Sequence, residues 1–352
     1  MRRLVTAASL FSIVLAASCG KSAMTMTGDD DMPVDAGAPG FVGTKYSLQW
    51  GPVTVPANTE NTQCVILKLA NADAIKVHQM HNVLTNGSHH MIVYRDDMDT
   101  TESPTPFNCQ PFTGALNPTG MVSPMMITQK KDDPLTLPTG VAYTLNANQM
   151  VRLELHYINT TDADEVIQGN VDFFAADPAT ITDEANILFL GTPDVSLPPN
   201  TMTTIEEFFS PSNAGLDLST SKFFAITGHE HHLGTQVTIA TEPTSGGAKT
   251  TIYDPDPFQW AEPATTTFSP EFTVPAAGGF DFKCDYYNST AATVKFGESA
   301  NDEMCFFWAY YYPSKGAHVC IHTNQIGNAD ICCPADPSNQ LSVLACSKLS
   351  QN

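Results

Sequence analysis

Residues 223–240 read FFAITGHEHHLGTQVTIA. Two runs of aromatic and β-branched residues, Phe223–Thr227 and Thr235–Ala240, stand on either side of a His-rich turn bracketed by Gly228 and Gly234. Short runs of this composition, closed by Gly, are strand signals. The same texture continues from residue 44 onward. Gln63–Leu69, His90–Tyr94, Val151–Ile158, Val171–Ala175, Ile187–Gly191 and Met304–Tyr312 are further short runs, separated by Pro, Gly, Asn and Asp. No long helical periodicity and no internal repeat interrupts them. Many short strands with Pro/Gly turns predict an all-β fold of two tandem domains, β-sandwiches or jelly rolls. A chain of 352 residues is long enough for both. Ala176–Asp183, with Pro178, is the expected joint, giving domains at 44–180 and 181–352, the second ending in a Cys-rich tail.

The N-terminus has the features of a targeting segment. Arg2 and Arg3 precede an apolar stretch, Leu4–Ala17, that is too short to span a bilayer comfortably. Ala16-Ala17-Ser18-Cys19-Gly20 then resembles a bacterial lipoprotein signal, which predicts a signal peptide over 1–19 and lipidation of Cys19. Lys21, with no Asp just after Cys19, favours the outer membrane of a bacterial cell envelope, with the folded part periplasmic or surface-exposed. Residues 20–43 are small, acidic and Met-rich and read as a disordered tether. A formal net charge of −21 argues against nucleic acid or an anionic membrane surface as partner.

Apart from Cys19 there are eight cysteines, an even number that reads as disulfides in an exported chain. Cys64 and Cys109 stand alone in the first half and are expected to pair. Cys284 and Cys305 flank a strand-turn-strand stretch and form the second expected pair. Cys320, Cys332, Cys333 and Cys346 are left with open connectivity; neighbours such as Cys332 and Cys333 rarely bond to each other, so each should reach outward. A zinc cluster in the tail would need a ligand spacing that is not present.

Soft-metal ligands are scattered over these strands. His229 and His231 are two apart, so on a strand both face one way and can converge on a single ion. His232 would face oppositely. His89 and His90 are adjacent and can share an ion only at an irregular strand start or bulge, for which Asn86-Gly87-Ser88 makes provision. His156 ends the alternating run Val151–His156 on the face of Arg152 and Glu154. Alternation also places Met304, Phe306, Trp308 and Tyr310 on one face of their run, and Cys305, Phe307, Ala309 and Tyr311 on the other. Taken alone, a Met is core packing and a His-x-His pair is often an ordinary surface feature. Imidazole combined with thioether, however, favours copper. His78, His81, His318 and His322 receive no metal role.

Four motifs occur in one order: Ser88-His89-His90-Met91, Leu155-His156-Tyr157, Gly228-His229-Glu230-His231-His232-Leu233-Gly234 and Asp302-Glu303-Met304-Cys305. With them, roughly residues 45–315 resemble the copper type II, ascorbate-dependent monooxygenases, which include peptidylglycine α-hydroxylating monooxygenase and dopamine β-monooxygenase. The resemblance implies two jelly-roll sandwiches, each with one copper, facing across a solvent-filled cleft. It implies that His89, His90 and His156 hold an electron-transfer copper, and that His229, His231 and Met304 hold the copper that activates O2. An external donor, ascorbate or an equivalent, would supply electrons for hydroxylation of a small-molecule substrate. The Cys64–Cys109 and Cys284–Cys305 pairs also look like family disulfides.

Departures from the family point to a different substrate. Peptide-hydroxylating members grip a carboxylate with an Arg at the position of Thr227, and with Asn and Tyr at the positions of Phe306 and Trp308. The three replacements remove carboxylate donors. Phe306, Trp308 and Tyr310 are therefore expected to line a site for an apolar or aromatic molecule. Glu230 replaces the Thr of animal enzymes and should point away from the metal. The rival expectation is a non-catalytic lipoprotein that buffers or ferries copper with the same ligands. A zinc hydrolase would leave Met304 unexplained, and a blue-copper carrier would need Cys, His and Met ligands in a tight loop.

Overall fold

The computed structural model describes residues 43–110, 121–335 and 343–346. Cys19, the signal segment and the tether through residue 42 lie outside them. Strands are numbered along the chain. In the first sandwich one sheet runs β1 (Thr44–Val55), β10 (Glu165–Ala176), β3 (Ile75–Leu84), β8 (Val141–Leu145), β11 (Asp183–Glu184), with β7 (Asp132–Thr136) also beside β3. The other runs β5 (Ser103–Asn108), β2 (Thr59–Lys68), β9 (Met150–Asn159), β4 (Ser88–Asp96), β6 (Val122–Thr128). In the second sandwich one sheet runs β18 (Thr265–Phe272), β15 (Lys222–His229), β21 (Cys305–Tyr312), β12 (Asn186–Thr192), β22 (His318–Thr323), β23 (Ala329–Cys333). Its partner runs β14 (Thr201–Phe209), β19 (Gly279–Asn288), β16 (Gly234–Glu242), β17 (Thr250–Tyr253), and the short β13 (Ser196–Leu197) and β20 (Val294–Lys295) pair with each other. The chain crosses between the two sheets of a sandwich from β1 through β4, from β8 through β10, from β14 through β16 and from β17 through β19, as in the winding of a jelly roll, while β4–β6 and β21–β23 each stay within one sheet. Among the described residues no helix is long and apolar enough to cross a membrane.

The chain passes between the sandwiches through a 3-10 turn at Pro178–Thr180. It then adds β11, in parallel beside β8, to the first sandwich before β12 enters the second.

The two sandwiches are fused by an apolar layer. Every residue of β12 and β21 is buried, because their sheet is covered on both faces. Cys305, Phe307, Ala309 and Tyr311 pack into the second sandwich with Leu188, Leu190 and Phe282. Met304, Phe306, Trp308 and Tyr310 face the opposite way, with Ile187 and Phe189, and join the core of the first sandwich. The period-two pattern of residues 304–311 is thus kept in full, but both faces are buried. Phe189 stacks on Phe306 with ring centroids 5.0 Å apart and on Trp308 at 6.4 Å. Tyr310 Oη accepts from the Ile127 amide at 3.1 Å, tying β21 to β6. At roughly 1.5–3 kcal/mol for each large apolar side chain, exposing these four aromatic residues would cost at most about 6–12 kcal/mol.

Disulfides join Cys64 to Cys109, Cys284 to Cys305, Cys320 to Cys332 and Cys333 to Cys346. The neighbours Cys332 and Cys333 reach opposite ways because they alternate on β23. Cys332 bonds within the second core, and Cys333 bonds to Cys346 on the side of the shared one.

Candidate metal centre

The first donor set is built on β4 and β9. Their register shifts between Ser88 and His90, which leaves His89 unpaired on a bulge. That extra residue allows two adjacent imidazoles to approach one point. His90 is the cross-strand partner of His156, with ring centroids 5.0 Å apart. Donor atoms of His89, His90 and His156 all lie within 4.8 Å of one another. His156 is 3% exposed and does not sit on an open polar face, because the second sandwich covers this end of β9. Its Nε2 meets Glu60 Oε1 at 3.0 Å, leaving Nδ1 as the nitrogen for a ligand. Glu60 also accepts from Ser299 Oγ at 3.1 Å and from the Ala300 amide at 2.8 Å. The His156 hydrogen bond, aided by the Ala300 amide, holds the Glu60 carboxyl down at about 2.

The second set sits where β15 ends. His229 is paired with Phe306, the last pair of the β15–β21 ladder. Met304, two residues before Phe306 and next to Glu303, is 3% exposed. The His loop is clamped there by Glu303, which accepts from the His231 amide at 3.0 Å and the Leu233 amide at 2.7 Å. Burial pushes the Glu303 carboxyl up to about 7. His231 Nδ1 donates to the Asp302 carbonyl at 3.0 Å, and His229 Nδ1 donates to Gln129 Oε1 at 2.9 Å. Both hydrogen bonds select the tautomer with a free Nε2 lone pair, the state a metal ligand needs.

Glu230 turns away from these rings. Its carboxyl crowds Gly234, where a Cβ would collide with it, and this accounts for the Gly that closes the motif. Both Glu230 oxygens are buried without a partner, and burial raises its pKa well above the carboxylate range.

The donors suit a soft metal ion. Burial holds His89, His90 and His229 far below the usual imidazole range, and His231 at about 4, so all four are neutral. His89 Nε2 and both ring nitrogens of His90 are buried with no hydrogen-bond partner. Such orphaned groups cost about 1–3 kcal/mol each unless something binds them. Neutral imidazoles match the preferences of copper, and the buried thioether of Met304 follows Glu303, whose carboxylate clamps the His231 loop.

The two sets are not held apart by a solvent-filled cleft. The His89 ring lies 5.9 Å from that of His231 and 6.2 Å from that of His229, and His90 lies 6.3 Å from His229. Phe306, Trp308 and Tyr310, expected along an open substrate site, are 4%, 2% and 2% exposed in the packed layer between the sandwiches. The cause is that sandwich 1 presents an apolar surface, including Ile127, to the face they form. A cavity of about 10 Å³ beside two of the rings is lined by His90, Ile127, Gln129, Phe189, His229 and Trp308.

Gln129, Glu60 and Trp260 were not anticipated from sequence. Trp260, on the segment between β17 and β18, lies 6.0 Å from His89 and is half-buried. No local pattern marks these residues, since each meets its histidine across the fold. The histidines given no role have other partners. His81 pairs with Asp132 at 2.7 Å, His78 Nδ1 with the Val141 carbonyl at 3.0 Å, and His318 Nε2 with the Lys315 carbonyl at 3.0 Å. His232 is exposed, with Nδ1 2.6 Å from the Ala300 carbonyl.

No curated protein matches the chain. Among solved structures, the major capsid protein P2 of bacteriophage PM2 is similar at 9% identity and a TM-score of 0.34, covering 78% of this chain and 100% of that one. Sulfolobus turreted icosahedral virus is similar at 10% identity and a TM-score of 0.21, covering 74% of this chain and 58% of that one. Residues 183–330, which include His229, His231 and Met304, match the family model for the C-terminal domain of the copper type II ascorbate-dependent monooxygenases.

Proposed function

We propose that the protein is a copper-dependent monooxygenase that hydroxylates a C–H bond of an apolar or aromatic small molecule. The observation carrying this reading is that the matched segment contributes His229, His231 and Met304 beside a complete second donor set, His89, His90 and His156. Copper bound by these residues would supply one-electron chemistry with O2, one oxygen atom entering the product as hydroxyl and the other leaving as water, with two electrons from an external donor such as ascorbate.

The chain's own residues define the surroundings. Gln129 and the Asp302 carbonyl orient His229 and His231, and Glu60 orients His156. The aromatic layer excludes water from the rings. The Thr227 hydroxyl is engaged by Thr265 Oγ1 at 2.9 Å, and Lys131 Nζ by the Thr85 and Ser88 carbonyls at 3.2 and 2.8 Å. These groups are therefore poor anchors for a carboxylate, which supports an apolar substrate. The cavity beside His90 and His229 suits a molecule the size of dioxygen. A larger substrate would displace the Trp260 segment.

We further propose the lipid-anchored location given by the Cys19 pattern. The test of function is copper analysis joined to oxygen uptake. Two coppers per chain, falling to one in His156→Ala and in Met304→Leu, with oxygen consumption that depends on an added apolar substrate, is the expected result. Copper binding with no substrate-dependent uptake across a panel of such compounds would leave a copper-buffering protein instead.

A further inference from the structure

On β22 the alternation of β21 is repeated. Val319 and Ile321 face the apolar layer shared with the first sandwich, and Cys320 faces the second core. Ile331, the cross-strand partner of Ile321 on β23, lies on the same side as Ile321. Beside this pair the layer opens to the surface as a groove of about 750 Å³, walled further by Val195, Phe296 and Ile326. Ile326, in the β22–β23 turn, is 58% exposed, and Phe296, which follows β20, is 36% exposed. The Phe296 ring lies 5.9 Å from that of Phe306, so the groove is an outer edge of the aromatic layer. None of the donor histidines lines it.

The polar groups of the groove differ in how far the fold already uses them. Asp194 accepts from Thr323 Oγ1 at 3.1 Å, from the Asn324 amide at 2.5 Å and from Gln325 Nε2 at 2.7 Å. These bonds tie down the turn that presents Ile326, and they leave the carboxylate little capacity for a ligand. Lys295 is the one cation in the lining. Its carbonyl accepts from the Glu303 amide at 3.0 Å, but among the described residues its ammonium has no ion pair and no hydrogen bond. In a chain of formal net charge −21, this ammonium remains free to take a carboxylate from outside.

We propose that the groove is a binding site, separate from the histidine donors, for a small amphiphile with an apolar body and one carboxylate. The body lies against Ile321, Ile331, Phe296 and Ile326, and the carboxylate pairs with Lys295 Nζ. Pockets of roughly 300–1,000 Å³ hold molecules of this kind, with apolar walls supplying affinity and a few polar groups fixing orientation. An exposed ion pair adds little, so Lys295 selects the ligand more than it holds it. The site needs no metal and does not rest on the copper reading.

Isothermal titration calorimetry of the full chain with octanoate and with 1-octanol tests both halves of the proposal. Octanoate should bind saturably at one site per chain, about two- to fivefold tighter than octanol, the span of an exposed ion pair. Lys295→Gln should bring octanoate to the octanol level and leave octanol unchanged. Ile326→Asp should weaken both by about tenfold or more, because it puts a charge on the apolar wall. Both side chains are exposed, so both variants keep the fold, which thermal melts check. No saturable binding of either compound, or binding untouched by Ile326→Asp, would overturn the site. Equal binding of octanoate and octanol, with no change in Lys295→Gln, would overturn the carboxylate assignment.

Discussion

Replacing Gln129 with Leu removes the one acceptor that His229 Nδ1 has, 2.9 Å away across the sandwich interface. Gln129 is 2% exposed, so no solvent can substitute for it. A buried donor left without an acceptor costs about 1–3 kcal/mol. The imidazole can escape that cost by moving its proton to Nε2 or by turning its ring, and either change removes the lone pair offered to a metal. At 1.4 kcal/mol per factor of ten, the same range corresponds to roughly 5–150-fold in affinity, in line with the 10–100-fold typical of lost partners behind a ligand. The substitution also removes Gln129 Nε2, a buried donor that has no partner, which lowers the cost of the metal-free fold. Gln129→Leu should therefore weaken the copper bound by His229 about 10–100-fold, leave the copper of the His89–His90–His156 set within about twofold, and leave the melting temperature of the metal-free protein unchanged or raised. Gln129→Glu keeps an acceptor and should restore most of the affinity. Competitive Cu(I) titration against a chromophoric chelator measures both sites. Equal affinities in wild type and Gln129→Leu, where His229→Ala loses one copper, would refute the positioning role.

Met304→Leu conserves volume in a buried position, so it should cost less than about 1.5 kcal/mol in thermal melts while the second copper is lost under reducing conditions. Retention of two tightly bound Cu(I) ions would remove Met304 from the donor set. Gly234→Ala should destabilise by about 1–3 kcal/mol because the new Cβ runs into the Glu230 side chain, its Cβ included, and Glu230→Gly in the same chain should relieve most of the loss. Additive effects in a double-mutant cycle would show that the contact is not responsible. Asp330, whose carboxylate lies 2.8 Å from His322 Nδ1, holds that imidazolium above the usual His range. A raised folded-state pKa means that this stabilisation is fully present below about 6.5 and is lost as pH rises through the folded-state value. The stability advantage of wild type over His322→Gln should accordingly shrink from pH 6 to pH 9, and an advantage of constant size in denaturant melts would count against the pairing.

Local chemistry carries the all-β class, the strand positions and the alternation of residues 304–311, because the period of a strand is written residue by residue. The four donor motifs are legible for a related reason: His-x-His shares a strand face, and a Gly-rich start gives His89 its bulge. Pairing of Cys332 and Cys333 in opposite directions follows from the same period of two. What the sequence does not carry is what lies against each face. Gln129 and Glu60 reach their histidines from positions distant in the chain, so no local spacing marks them. An aromatic face at 306–310 has the same pattern whether it lines a groove or meets a second apolar surface, and only the packing of the first sandwich against β12 and β21 made it interior. The closeness of the two donor sets was decided at that level too, because the distance between rings on different sandwiches depends on how the two bodies pack together, which no period within either one encodes.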